Sequence, residues 1–230
     1  MRHLTILILS ILSIHFSYSQ INEIGIFAGG SNFIGDVGAT DYISPNQLAI
    51  GGIYKWNRSK RHSYRASVIF SELEGIDTKS DDPRRIQRGY EFSSKIMEVS
   101  LGIEFTFLDF DLHSSDKAAT PYLYTGITTA KHDNHYFLNG VQTQENTSSW
   151  AYGIPMVVGF KASFIDNIII GIEVGARYTF SDGLDGSLPN DKSRQQQYKF
   201  GNINNNDWYM FSGLTLTYTF GENPCYCPGN

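Results

Sequence analysis

Cysteine is nearly missing from this chain. Its two, Cys225 and Cys227, fall in the last six of 230 residues, so a small fold stapled by disulfides is excluded. No segment beyond the N-terminus strings together eighteen apolar residues, which excludes a helical membrane protein. Dense basic runs are absent too. Against 23 Asp and Glu stand 18 Lys and Arg, a formal charge of −5, and a mildly acidic chain does not advertise nucleic-acid binding. No Pro- and Ser-rich linker divides the sequence, so the length reads as one sizeable domain.

Catalytic and cofactor signatures are also missing. "AGGSNFIGDVG", Ala28 to Gly38, has the look of a phosphate cradle. A P-loop, however, needs Lys and then Ser/Thr after its last glycine, plus a following helix. Here Asp36 and Val37 follow Gly35, and an aspartate repels phosphate. Glycines at a strand exit instead permit bending and close backbone approach. No glycine-flanked serine marks a nucleophile elbow. His132, Asp133 and His135 lack the i, i+4 spacing and the further ligand of a metal site, and are read as part of a solvated loop. No enzyme activity, metal, cofactor or small-molecule substrate is expected.

What is present begins with a cationic "MRH", an apolar run from Leu4 to Phe16, and Ser17 and Ser19 at the −3 and −1 positions before Gln20. This reads as a secretory signal peptide over residues 1–19. Losing it removes Arg2 and leaves a slightly more acidic chain. Glycine is plentiful at 22, and Tyr and Phe number 14 and 15.

Period-two alternation recurs along the rest. Met97, Val99, Leu101, Ile103, Phe105 and Phe107 alternate with Glu98, Ser100, Gly102, Glu104 and Thr106. Similar runs occupy 152–161, 168–180 and 208–220, with weaker ones at 23–30, 46–56, 62–72 and 120–131. Each approaches or exceeds the length that a tilted strand needs to cross a bilayer. Aromatic residues gather at the ends of the apolar faces, at Tyr54, Trp56, Phe105, Phe107, Tyr178, Phe180, Trp208, Tyr218 and Phe220, as in membrane girdles. The connections alternate long and short: 31–45, 57–61, 75–89, 109–119, 132–149, 166–167 and 181–206. Long outer loops and short periplasmic turns have this rhythm.

The reading is all-β: an eight-stranded antiparallel up-and-down transmembrane β-barrel in the outer membrane, with both termini periplasmic. Its divisions are signal peptide 1–19, barrel 20–220 and periplasmic tail 221–230. A soluble sandwich would expose its polar face to water; these polar faces are Gly-, Ser- and Thr-rich with few charges, which suits a narrow filled lumen. Arg65, Glu98, Glu104, Lys161, Glu173 and Arg177 are expected to face inward as a salt-bridged plug, because eight strands leave a lumen that side chains just fill. Gly102 and Gly171 face inward with them. "KSDDPRRIQR" (79–88) mixes both charge signs and is expected to stay solvated.

Cys225-Tyr226-Cys227 lies in the tail. A bridge across one intervening residue is strained and reducible, so the pair could bond a partner, bind metal or close on itself. Two thiolates alone make a poor zinc site. The pair is the candidate partner contact.

"EIGIFAGGSNFIGDVGATDYISP" (Glu23–Pro45) resembles the N-terminal signature of PorG-like outer-membrane proteins of the Bacteroidetes type IX secretion system. "RGYEFSSKIMEVSLGIEFTFLDF" (Arg88–Phe110) resembles that family's central motif, and "PYLYTGI" (Pro121–Ile127) and "LTYTFGENPCYC" (Leu216–Cys227) are similar as well. The resemblance spans essentially the whole mature chain. It implies a non-enzymatic barrel set in outer-membrane lipid, serving protein transport and gliding motility. Its implied partners are the periplasmic ring lipoprotein of the secretion machine and that lipoprotein's own partner. The alternative is a stand-alone small barrel for adhesion or envelope integrity.

Overall fold

The computed structural model describes residues 21–112, 117–165, 167–202 and 205–221. The expected signal peptide, Cys225 and Cys227 lie outside the described residues. Eight strands run in chain order around a closed barrel: β1 (Ile21–Ile34), β2 (Gln47–Asn57), β3 (His62–Ile76), β4 (Glu91–Thr106), β5 (Ala119–Leu138), β6 (Val141–Ile165), β7 (Ile168–Thr179) and β8 (Trp208–Phe220). Every neighbouring pair is antiparallel, and β1 closes on β8 from Asn22↔Phe220 to Ile34↔Trp208. Two short helices, α1 (Pro83–Arg88) and α2 (Lys192–Tyr198), sit in the connections.

The side-chain distribution is inside-out. Ile24, Leu101, Ile127, Ile172 and Leu214 stand exposed on the outer wall, while Glu23, Arg65, Glu98, Glu104 and Arg177 are buried within. A water-soluble barrel would reverse this; an apolar wall around a polar interior is stable only against lipid. Aromatic rings mark both borders. Trp56 packs on Tyr64 and Phe105 on Phe107 at the end with short turns; Tyr178 packs on Trp208 and Phe180 at the other. The strand from Ile168 to Tyr178, at about 3.3 Å per residue and tilted by roughly 40°, spans about 25 Å, the height of an apolar band.

The strands outrun the expected ones at the long-loop end. The connection expected over 132–149 is a continuation of β5 and β6, joined by a two-residue turn. Asn139 (φ 52°) and Gly140 (φ 84°) both occupy the left-handed region, the type I′ geometry that matches strand twist. His132 and His135 are therefore buried strand residues at 3% and 1% exposure, which corrects the expectation of a solvated loop. The 79–88 segment is corrected too. Asp82 caps α1 through the Arg84 amide and Gly89 ends it at φ 69°, while Arg88 turns inward to Asp77, which is fully buried.

The hydrophobic phase changes along single strands. In β4, Phe92 and Ile96 point inward, yet from Met97 the apolar residues point outward, and every even position except Gly102 is buried. Inside the membrane the apolar partner is lipid. Beyond it the outside is water, so apolar side chains turn in. At that mouth Phe33, Phe92, Phe137, Leu73 and Leu184 form an apolar core like that of a soluble protein.

Candidate functional site

The lumen is the first feature that demands an account. All six expected charges point into it, joined by Glu23 and Lys55, and each of the eight is at most 3% exposed. Four are anionic and four cationic. Glu104 on β4 takes Lys161 Nζ at 2.7 Å and Lys55 Nζ at 3.0 Å on Oε1, with Arg65 at 3.7 Å. Arg65 grips Glu173 with both terminal nitrogens, at 2.7 and 2.9 Å. Tyr122 donates to the same carboxylate at 2.7 Å. Deeper toward the long-loop end, Glu98 meets Arg177 Nε at 3.1 Å and the Tyr209 hydroxyl at 2.5 Å. Glu23 accepts from Asn57 and Thr217, both at 2.9 Å, with Lys55 at 3.9 Å.

Aromatic faces complete the packing. Arg65 lies over Tyr124 at 4.7 Å and Arg177 over Phe211 at 4.5 Å, a cation–π arrangement that gains strength away from water. At the short-turn end the β4–β5 connection folds back. The Phe110 amide donates to the Lys60 carbonyl, and its buried ring sits 4.8 Å from Lys161 Nζ. Paired charges, stacked rings and the Phe110 ring together make the salt-bridged cluster expected of a plug. Charges buried this way are tolerated because each has a partner and its hydrogen bonds.

Glycines let the wall close tightly. A Cβ on Gly102 would run into the Thr125 carbonyl oxygen, and one on Gly171 would lie 2.6 Å from Thr215 Oγ1.

At the long-loop mouth, the glycine-rich stretch does bind carboxyl groups, but they are the protein's own. Asp185 Oδ2 accepts from the Asp36 and Val37 amides at 2.9 and 3.1 Å. Asp77 Oδ1 accepts from the Gly38 amide at 2.9 Å. Consecutive amides turned to one side form a small anion nest. Gly38 has φ 94°, and a Cβ there would sit 2.8 Å from Gly75 Cα; no side chain fits. Arg85 donates to the carbonyls of Gly35 and Gly38, and Arg88 to the Asp36 carbonyl and both Asp77 carboxylate oxygens. Burial alone would raise the Asp77 carboxyl, but Arg88 and the Gly38 and Tyr90 amides bring it below the usual range. The β1–β2, β3–β4 and β7–β8 connections are thereby tied into one cap.

Sequence reasoning missed Glu23, Lys55 and this cap. Lys55 had a signal, since it alternates with Tyr54 and Trp56, but Gly51-Gly52 just before it blurs the apolar phase of β2. Nothing local could have paired Asp185 with residues 36 and 37, about 150 positions away. Among the described residues no three His, Cys, Asp or Glu side chains are placed to hold a metal ion.

A closed eight-stranded ring with an apolar wall, two aromatic borders and a charge-balanced interior defines the class: a small β-barrel of the outer membrane. Within that class the chain belongs to the family described as a domain of unknown function, DUF6089, whose model matches residues 2–229. No curated protein sequence matches it. Solved structures similar to it include Ail, the attachment invasion locus protein of Yersinia pestis, in complex with the heparin analogue sucrose octasulfate, at 11% identity, with 88% of this chain and 99% of that one covered and a TM-score of 0.48. A major outer membrane protein from Thermus thermophilus is similar at 11% identity, 88% and 100% coverage and a TM-score of 0.48. Neisserial surface protein A is similar at 9% identity, 87% and 95% coverage and a TM-score of 0.44.

Proposed function

We propose that this barrel is a non-enzymatic anchor that docks a periplasmic ring complex of the type IX secretion system to the outer membrane. The observation that carries the reading is the filled lumen. A barrel whose interior is occupied by matched charges and a phenylalanine stopper offers no route for solute, so its work falls to its two ends. The motifs at Glu23–Pro45 and Arg88–Phe110 supply the specific assignment through their resemblance to PorG-like proteins.

In this reading both termini and the short turns face the periplasm. The tail carrying Cys225 and Cys227 then projects toward the ring lipoprotein and its partner, as a covalent or constrained contact. Affinity purification of the tagged full chain from its native envelope tests the assignment. Ring lipoprotein co-eluting in fixed ratio, and loss of secretion on deletion, are the expected results. Normal secretion with impaired surface attachment would transfer the assignment to the second reading, a stand-alone adhesion or envelope barrel. The folded cap at the long-loop mouth favours that second reading, since it presents a built surface at the opposite end.

A further inference from the structure

The β7–β8 connection carries three buried aspartates, Asp182, Asp185 and Asp207, at 7%, 0% and 0% exposure. Asp36 of the β1–β2 connection faces them and accepts from the Asn202 amide at 2.9 Å. No Lys or Arg forms an ion pair with any of the three among the described residues. Both carboxyl oxygens of Asp182 are buried without a hydrogen-bond partner, as is Asp207 Oδ1. The other oxygens hold the connection in place: Asp207 accepts from the Leu184 amide at 2.9 Å, and Asp185 from the amides of Ser187, Asp36 and Val37. Leu184, fully buried, is the hydrophobic pin that this polar frame seats.

The groups facing the cluster from neighbouring elements form no ion pair with it among the described residues. Arg88 of α1 bonds Asp77, although its charge also reaches Asp185, and Arg85 donates to backbone carbonyls. His135 of β5 stacks on Phe92, abuts Gly186 and lies against the Asp185 backbone. Glu145 of β6 has its own contact with Arg194 of α2 at 3.7 Å. Buried carboxylates without cations are too costly to stay ionised together. Either protons or a bound cation must remove the charge, and no three ligands converge for a cation among the described residues.

We propose that Asp182, Asp185 and Asp207 form a proton-operated latch that holds residues 182–187 over the long-loop mouth, against the amides of Asp36 and Val37, and releases them as the three carboxyls ionise. The direction follows from the shifts. Burial, then the charges of Asp185 and Asp36, raise Asp182 to about 7; burial also raises Asp185, and raises Asp207 well above the ordinary carboxyl range. Carboxyls raised in the closed state bind protons that the open state gives up. The closed form is thus fully favoured at low pH and loses that favour as pH rises through about 7.

Hydrogen exchange on the full chain in lipid vesicles tests this, corrected for the intrinsic pH dependence of exchange. Amides of residues 184–187 are expected to exchange about tenfold faster, relative to that intrinsic rate, at about pH 8 than at about pH 6. Asp182→Asn, which mimics the protonated side chain, should keep the segment protected at the higher pH, and Asp207→Asn should act the same way. The strand amides of β7 and β8 serve as the folding control. Corrected exchange that does not change with pH overturns the latch. So does calcium chloride restoring protection to the wild type at the higher pH, which makes the cluster a cation site instead.

Discussion

Glu104 answers to three cations, Lys55, Lys161 and Arg65, from three different strands. Removing its charge leaves two lysines in the lumen with one distant carboxylate between them, and breaking a buried pair from one side costs about 3–5 kcal/mol. Glu104→Gln is therefore expected to lower the urea midpoint of the refolded barrel sharply. The paired change Arg65→Leu with Glu173→Leu should cost less than the sum of its two single changes, because it leaves neither charge stranded. Urea titrations followed by tryptophan fluorescence measure both; additive losses would mean that the two side chains do not interact. Six of the eight lumen charges were legible in the sequence because each falls between apolar residues of an alternating run. Their pairing was not, since Arg65 and Glu173 meet across 108 residues and only the stagger of the closed ring brings them level.

At the scale of the strand, legibility depended on what lies outside the wall. Ile168 to Phe180 and Trp208 to Phe220 were readable because lipid requires an apolar side chain at every second position. The upper halves of β4, β5 and β6 were not. There Phe92, His135 and Phe137 face inward while water lies outside, and the phase reverses without a break in the strand. Depth should accordingly govern tolerance on the outer wall. Ile172→Arg and Leu101→Arg, at mid-depth, are expected to cost about 2–4 kcal/mol, and Tyr218→Arg near the border about 0–1 kcal/mol. Folding titrations in vesicles would reveal equal costs at the three sites if the wall did not face lipid. Thr179 is a poor lumen control for such a series. It is buried at the packed mouth, its hydroxyl donating to the Asp207 carbonyl at 2.8 Å, so an arginine there would clash for steric reasons alone.

At the largest scale the described residues form a closed ring with a lipid-facing wall, a hydrogen-bonded cap at one end and the Phe110 ring over Lys161 at the other. Ring closure by β1 and β8 leaves no free strand edge, so the barrel is expected to resist detergent until heated, and boiled and unboiled samples should migrate differently on gels. Replacing Cys225 and Cys227 by serine should leave that migration and the membrane level unchanged while weakening recovery of ring proteins. Unchanged recovery would remove the tail from the docking contact. In the proposed function a filled lumen sends the work to the two ends, and single-channel recording in a planar bilayer tests that premise most directly. At neutral pH the refolded wild-type barrel is predicted to insert without producing a stable conductance step; a reproducible ohmic step would contradict the account and make the lumen a pathway.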